Sequence, residues 1–213
     1  MPRVDAAETA VEKKSLHASQ RDTPRVKRKR RAFRKDVAER HVTRFKFLDE
    51  SSVNMSLTRL YGRAAPGERV VDSTPLPSGP QTTTLAVIGW DGLSAPLVLS
   101  GAVNGTVFYG YLQQCVVPTL QPGEVLFMDN LSAHKVAGIE DLIRARGAHL
   151  IYLPPYSSDF NPIEWAWSKI KTILRRLKAR TFPDLIEALK QALLAITPQD
   201  IRGWFAHCGY AIN

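Results

Sequence analysis

Hydrophobic and polar positions divide the chain near residue 44. Residues 1–43 carry many charges and little periodic apolar pattern, which predicts a basic, largely disordered N-terminal arm. At the end of this arm, the segment RKDVAERHVTRF has a spacing compatible with a short helix. From Arg44 onward, apolar runs alternate with turn residues, so we predict one folded domain over residues 44–213.

The first half of this domain has the alternating pattern of β-strands. RFKFLDE predicts a strand that ends at Asp49, and a short strand is predicted at ERVV after a polar stretch. TTTLAVIGW and APLVLSG are rich in β-branched and apolar residues and flank the turn DGLS. This arrangement predicts a hairpin.

The second half alternates between helices and short buried strands. TVFYGYLQQCVVPTL predicts a helix that stops near Pro118, and KVAGIEDLIRARG predicts one that ends at Gly147. The buried strands are EVLFMDN and AHLIYLPPY. The closing helices are one that begins at Pro162 within YSSDFNPIEWAWSKIKTILRRLKAR, then FPDLIEALKQALLAI and TPQDIRGWFAHC. Antiparallel strands followed by strand–helix alternation predict an α/β fold with a mixed five-stranded sheet flanked by helices. A ribonuclease-H-like fold has this order, and several other α/β folds share it.

The charge distribution indicates a class of partner. Residues 1–46 hold 15 Lys or Arg and 6 Asp or Glu, whereas the remaining residues hold 14 of each. The whole net charge of +9 therefore lies in the first 46 residues, most densely in RVKRKRRAFRK. Such a segment is typical of nucleic-acid binding, since phosphate neutralisation gives affinity without sequence information. The alternative is a solvated basic tail without a partner.

The apolar runs and the cysteine content indicate the cellular compartment of the protein. No apolar run approaches the roughly 18 residues that a membrane-spanning helix needs, and the start of the chain lacks the apolar stretch of a secretory signal. The two cysteines, Cys115 and Cys208, lie far apart and indicate neither a disulfide nor a metal site. These features favour a reducing, intracellular compartment.

Three acidic residues lie at the ends or beginnings of predicted elements. Asp49 ends the first strand, Asp129 ends VLFMD, and Glu164 lies in the first turn of a helix. Ligands of α/β sheets bind outside the carboxyl ends of the strands. Three carboxylates that converge there would repel one another without a cation, and oxygen ligands of this kind suit Mg²⁺ or Mn²⁺. Two such ions can activate a water and stabilise the leaving oxygen of a phosphodiester.

Each acid also has a purely structural interpretation. Asp129 precedes Asn130 and fits a solvated turn, and Glu50 competes with Asp49 as the working acid of its strand. NPIE would place Asn161 at the N-cap and Glu164 at the third helical position, which resembles a capping box. An acid in the first turn also suits the helix dipole.

The pattern of the helix that starts near Glu164 favours a functional role. One stripe is apolar and predicts the core-facing side of the helix: Ile163, Trp167, Ile170, Leu174 and Leu177. The adjacent stripe begins with the acid and continues with polar or basic residues: Glu164, Ser168, Lys171, Arg175 and Lys178. A helix packed in this way would hold the acid rigidly beside a row of cations that could follow a phosphate backbone. The alternative is a solvated basic face.

Three segments resemble the catalytic blocks of DDE transposases: FLDES, MDNLSAHK and LPPYSSDFNPIEWAWSKIK. The resemblance is closest to the bacterial insertion-sequence branch of the mariner superfamily, the IS-six-thirty group. NMSLTRLYGRAAPGERV and WFAHCGY also resemble that group, and the similarity runs from about Arg34 to Tyr210. Thirty-four residues separate Asp129 from Glu164, a spacing typical of the group.

The resemblance implies a ribonuclease-H-like catalytic domain in which Asp49, Asp129 and Glu164 bind two Mg²⁺ or Mn²⁺ ions. It implies cleavage at element ends, transfer of the freed 3′ hydroxyl into target DNA at TA dinucleotides, and a bacterial, nucleoid-associated location in the cytoplasm. The remaining block residues are expected to shape the site or to contact DNA: Asn130, His134, Asn161 and Pro162.

Two features depart from the family pattern. Ser158 and Phe160 stand where family members usually have Pro and Leu in SPDLNPIE. In addition, residues 1–43 contain no complete helix-turn-helix module of the kind that recognises element ends in full-length relatives. We therefore expect a homodimer, or an assembly with a helix-turn-helix transposase part. The alternatives are a non-catalytic DNA-binding remnant or regulator of an intact transposase, and a different ribonuclease-H-like nuclease.

Overall fold

The computed structural model describes residues 17–75, 81–130 and 135–210. Its sheet contains five strands: β1 Phe45–Val53, β2 Thr82–Gly89, β3 Gly92–Ser100, β4 Val125–Met128 and β5 His149–Tyr152. Their order is β3-β2-β1-β4-β5. β2 pairs antiparallel with both β1 and β3. β4 pairs parallel with both β1 and β5. The predicted mixed five-stranded sheet is confirmed.

Helices cover both faces of the sheet. The described α-helices are α1 Pro24–Ala38, α2 Gly105–Tyr111, α3 Ile139–Arg144, α4 Ile163–Leu177, α5 Phe182–Leu194 and α6 Pro198–His207. One face packs against α1, α4, α5 and α6, and the other packs against α2 and α3. None of the described helices has the length and apolar character needed to cross a bilayer.

Aromatic residues form the centre of the core beneath α4. The Phe47 and Phe127 rings stack with centroids 4.7 Å apart, and Phe45 meets Phe127 edge-on at 5.0 Å. Because Phe45 and Phe47 occupy alternate positions of β1, both point to the face that α4 covers, whereas Leu48 points to the α2 and α3 face. Asp49 therefore lies on the α4 side of the sheet, and Glu50 lies on the other side.

The structure differs from the sequence prediction before β1. We predicted a largely disordered arm over residues 1–43, but Pro24–Ala38 form a 15-residue helix that packs on the domain. Its buried positions are Val26, Arg30, Phe33 and Val37, which follow a helical spacing. Residues 1–16 lie outside the described part of the chain.

Two further predictions need correction. The segment ERVV, predicted as a strand, is irregular, and Val70 and Val71 are exposed. β1 continues to Val53, so Asp49 lies within the strand and does not end it. The long helix predicted from Thr106 is present as α2, which continues through a π-turn and ends in a 3-10 turn around Pro118.

Candidate active site

Asp49 and Asp129 lie on neighbouring parallel strands. Phe47 of β1 pairs with Phe127 of β4, so the same register continued by two residues brings Asp49 alongside Asp129. Adjacent strands are about 4.8 Å apart. Asp129 directly follows the last residue of β4, as predicted, whereas Asp49 continues its pairing with Ala86 of β2. The antiparallel β2 therefore fixes Asp49 from one side while β4 presents Asp129 from the other.

Glu164 comes to the same region from α4. It is the second residue of that helix, and it is exposed while Ile163 before it and Ala166 and Trp167 after it are buried. Packing of these buried neighbours against the sheet holds the first turn of α4 over β1. Three chain segments that are far apart in sequence thus bring the three predicted acids to one edge of the sheet.

The electrostatics of Asp49 reflect this convergence. Burial first, and then the negative charges of Glu164 and Asp129, together raise the pKa of Asp49 to about 7 against the opposing effect of hydrogen bonds. Although Glu164 is exposed as a residue, neighbouring protein atoms remove part of the hydration of its carboxyl, which raises its pKa; Asp129 adds to the rise and Lys171 opposes it. Mutual repulsion of this kind is what a bound cation would relieve.

The side chains do not form a closed metal-binding cluster as they stand. Across the described residues, no group of three or more His, Cys, Asp or Glu side chains is arranged to hold a metal ion. The chemistry of the donor set nevertheless suits a hard divalent cation, since all three groups are carboxylates. Glu164 is exposed at the start of its helix, so its side chain has room to move toward the two aspartates.

The predicted capping box at the start of α4 is absent. The helix begins at Ile163 with no side-chain cap, and the Asn161 amide donates to the Ser158 carbonyl. The Asn161 side chain is buried and its Oδ1 has no hydrogen-bond partner among the described residues. The Glu164 carboxylate is therefore free of the capping role, and burial of Asn161 favours its predicted role in shaping the site over direct contact with DNA.

The predicted basic stripe of α4 is only partly available to a ligand. Lys171 lies close enough to Glu164 to oppose the rise in the pKa of that carboxyl, and Arg175 is half-buried one turn further along. Lys178 ends the helix in a left-handed conformation, and its Nζ lies 2.5 Å from Asp72 Oδ2. On the apolar stripe, Leu177 is exposed, whereas the other four predicted core residues are buried.

Asn130 lies on an open groove beside the acids. This groove has a volume of about 350 Å³. One wall includes Lys29 of α1, and the other includes Pro154 and Pro155, which follow β5. Asn130 is exposed and follows Asp129 directly in the sequence, whereas none of the three acids lines the groove. His134, the other residue predicted from the same block, lies outside the described residues.

Trp167 is a site residue that the sequence pattern assigned only to the core. Its ring is buried, and its Nε1 makes no hydrogen bond within 3.5 Å among the described residues. The indole N–H nevertheless lies close enough to Asp49 to oppose the rise in the pKa of that carboxyl, although its influence is the smallest of those that act on the group. Its position three residues after Glu164, on the same side of a helix, is the signal that could have indicated this role.

The loop before Glu164 is attached to α1, which the sequence did not indicate. Arg30 donates to Ser157 Oγ at 2.7 Å and to both carboxylate oxygens of Asp159, at 2.9 and 2.7 Å. Phe33 stacks on Phe160 with ring centroids 5.4 Å apart. Phe160 is one of the two residues that depart from the family sequence SPDLNPIE, and its ring forms part of the surface on which α1 packs.

Comparison with known proteins indicates the family of the chain. The family profile described as DDE superfamily endonuclease matches residues 44–187. No curated protein sequence shows significant similarity to the chain.

Several solved structures have the same fold. The pre-cleavage Mos1 transpososome superposes with a TM-score of 0.74 at 14% identity, covering 95% of this chain and 65% of that one. The Mos1 mariner paired-end complex with Mn gives 0.70 at 15% identity, with 95% and 65% covered. The catalytic domain of Mos1 mariner transposase gives 0.64 at 13% identity, with 92% of both chains covered. The chain thus spans about 65% of the length of the transposase chains in the two complexes.

Proposed function

The chain belongs to the DDE superfamily endonucleases, and from this premise we propose that it acts as the catalytic domain of a transposase. The reaction would be metal-dependent cleavage of DNA at the ends of a mobile element, followed by strand transfer into target DNA. The observation that carries the proposal is the register of β1 and β4, which sets Asp49 beside Asp129 where α4 presents Glu164.

We assign the catalytic and metal-binding roles to these three acids. Asp49, Asp129 and Glu164 would together hold two Mg²⁺ or Mn²⁺ ions. Burial raises the pKa of Asp49, the repulsion from Glu164 and Asp129 adds to this rise, and that repulsion supports cation binding. Mos1 complexes have been solved with Mn and with Mg. Bound ions of this kind supply Lewis acidity that activates a water and stabilises the leaving oxygen of a phosphodiester.

The protein's own groups would position the DNA. Lys171 and Arg175 extend from Glu164 along α4 and would neutralise backbone phosphates, and Asn130 would contact DNA in the groove beside the acids. Lys178 would join this set only after release from Asp72. Trp167 lies close enough to Asp49 to influence the pKa of that carboxyl and would limit its side-chain movement.

The finer assignment follows the resemblance of the catalytic blocks. We propose that the chain belongs to the bacterial insertion-sequence branch of the mariner superfamily, inserts at TA dinucleotides and acts in the cytoplasm at the nucleoid. Residues 44–213 would form the catalytic domain, and recognition of element ends would require a homodimer or a helix-turn-helix transposase part. His134 and Asn161 keep their predicted roles near the DNA and in shaping the site.

Two assays in parallel test the function. Nicking of supercoiled plasmid and transfer of a labelled 3′ end into plasmid should both require Mg²⁺ or Mn²⁺. Nicking without strand transfer would indicate a different ribonuclease-H-like nuclease. DNA binding without either reaction would support the alternative, a non-catalytic regulator of an intact transposase.

A further inference from the structure

A basic cleft lies between α1 and the turn that precedes it. The cleft has a volume of about 260 Å³ and is lined by five cationic residues and one acid: Arg21, Lys27, Arg30, Arg31, Arg34 and Asp22. It is separate from the groove at Asn130, which opens on the other side of α1 around Lys29 and Ala32. None of the three acids of the proposed active site lines it.

Internal ion pairs account for only part of this charge. Arg30 and Arg21 both pair with Asp159, and Lys27 lies 3.4 Å from Asp22. Five cations therefore meet two carboxylates, which leaves three positive charges in excess. Among the described residues, Arg31 and Arg34 have no carboxylate within 4.0 Å. These two guanidinium groups are the ones that remain for an external anion.

The cleft is held in place by buried contacts. Arg30 is buried and bonded to Ser157 and Asp159, and its guanidinium carbon lies 4.0 Å from the centre of the Phe160 ring. The Arg34 guanidinium carbon lies 5.0 Å from the same ring centre. Stacking on an aromatic face orients the planar fork of arginine, and an oriented fork binds phosphate with less loss of side-chain entropy.

The surroundings favour a linear polyanion over a small one. Arg25, Arg28, Lys29 and Lys35 are also exposed on α1, so cations continue along the helix beyond the cleft. A helix of 15 residues is about 22 Å long. A mononucleotide or free phosphate would occupy one end of this surface, whereas a DNA backbone presents phosphates along its whole length.

We infer that the α1 cleft binds the DNA phosphate backbone through Arg31 and Arg34, at a site that none of the three proposed catalytic acids lines. The inference rests on the proposed function, because DNA is the substrate of that function. It assigns separate tasks to neighbouring arginines of one helix. Arg30 holds α1 on the domain, and Arg31 and Arg34 hold the DNA.

The test compares two double variants of the full chain that lose the same charge. Arg31→Gln with Arg34→Gln removes the proposed phosphate contacts. Arg144→Gln with Lys190→Gln is the control, because both residues are exposed and paired within their own helices α3 and α5. Binding to a short duplex of mixed sequence is measured by fluorescence anisotropy at several KCl concentrations, and melting curves verify that both variants fold.

The cleft variant should bind roughly tenfold more weakly, and its plot of log affinity against log salt should be shallower by about 2. The control should keep the wild-type slope, and Arg31→Lys with Arg34→Lys should restore most of the binding. Equal losses in the cleft and control variants, or no loss in either, would overturn the inference.

Parallel nicking assays separate this inference from the proposed function. If the wild-type protein binds DNA through the cleft but never nicks it, the proposed function is contradicted and the inference about the cleft stands. Wild-type protein that nicks DNA while the cleft variant binds like wild type would overturn only the cleft. Absence of DNA binding by the wild type would overturn both.

Discussion

Arg30 of α1 donates two parallel hydrogen bonds to the carboxylate of Asp159, five residues before Glu164. The same guanidinium donates to Ser157 and covers the Phe160 ring, so one buried side chain joins the basic helix to the loop that starts α4. The position of Glu164 therefore depends on a contact made more than 120 residues earlier in the chain.

Loss of this contact should destabilise the fold. Arg30→Met would leave the partly exposed Asp159 with only Arg21 as a partner, and we expect a cost of about 2 kcal/mol, below the range for fully buried pairs. Urea unfolding of the wild type and of Arg30→Met measures this difference in the free energy of unfolding. Arg31→Met, on the exposed side of the same helix, should change stability by less than about 0.5 kcal/mol. Equal stability of the two variants would show that the Arg30 contact contributes nothing.

Asp49 should make the metal-free protein less stable as pH rises. Its folded-state pKa is raised to about 7 from an ordinary value near 3.8, so the folded protein retains the proton over this interval. The stabilising contribution is therefore complete below about pH 4 and is lost as pH rises through about 7. Asp49→Asn should remove this dependence and stabilise the metal-free protein at pH 8 by on the order of 2–4 kcal/mol.

Mg²⁺ should restore the stability that the metal-free wild-type protein loses as pH rises. Binding to the folded state raises the melting temperature, whereas Asp49→Asn should respond to Mg²⁺ far less because a ligand is missing. Melting curves with Mg²⁺ and with EDTA measure both effects. An identical Mg²⁺ response in the two proteins would exclude Asp49 as a ligand.

Asp200 should have the opposite pH dependence. Its hydrogen bond from Lys169, together with the amide and hydroxyl of Thr197, lowers its pKa to about 2. The contribution to stability is present above about pH 4 and is lost as pH falls toward 2. Since both side chains are partly exposed, Asp200→Asn should cost about 1 kcal/mol at pH 7 and almost nothing near pH 2. A cost that stays constant over this range would exclude the ion pair as its source.

Two cations of α4 should differ in their effect on DNA binding. Lys171 lies near Glu164, whereas Lys178 is already paired with Asp72. Lys171→Gln should therefore weaken binding and reduce the salt slope by about 1, and Lys178→Gln should change both less. Fluorescence anisotropy across a salt series compares them. A larger effect of Lys178→Gln would mean that DNA displaces Asp72.

The sequence predicted the sheet and its acids because their signals are local. Alternation, turn residues and short buried runs indicate all five strands, and Asp129 follows its strand as expected. β1 continues past Asp49 because β2 pairs with it as far as Val53, and such pairing is not visible in either strand alone. ERVV lacked a partner strand, and β-branched residues favour a strand only where one exists.

Most of helix α1 was missed for a different reason, since the short helix predicted within RKDVAERHVTRF overlaps only its last turn. Its buried stripe contains Arg30 at a position where an apolar residue would have revealed the pattern, and cations surround it on the exposed side. The partner that makes this burial favourable, Asp159, lies in a distant segment. The likeness of NPIE to a capping box was similarly misleading, since the Asn161 side chain is buried and caps nothing.

Plasmid nicking by Glu164→Gln, assayed in Mg²⁺ and in Mn²⁺, tests the proposed active site most directly. The substitution keeps the size of the side chain but removes a negatively charged ligand, and several kcal/mol of lost stabilisation corresponds to about a 10³-fold slower reaction. We predict that the variant folds and binds DNA like wild type but does not nick it. Metal-dependent nicking by Glu164→Gln at the wild-type rate would contradict the assignment of the three acids.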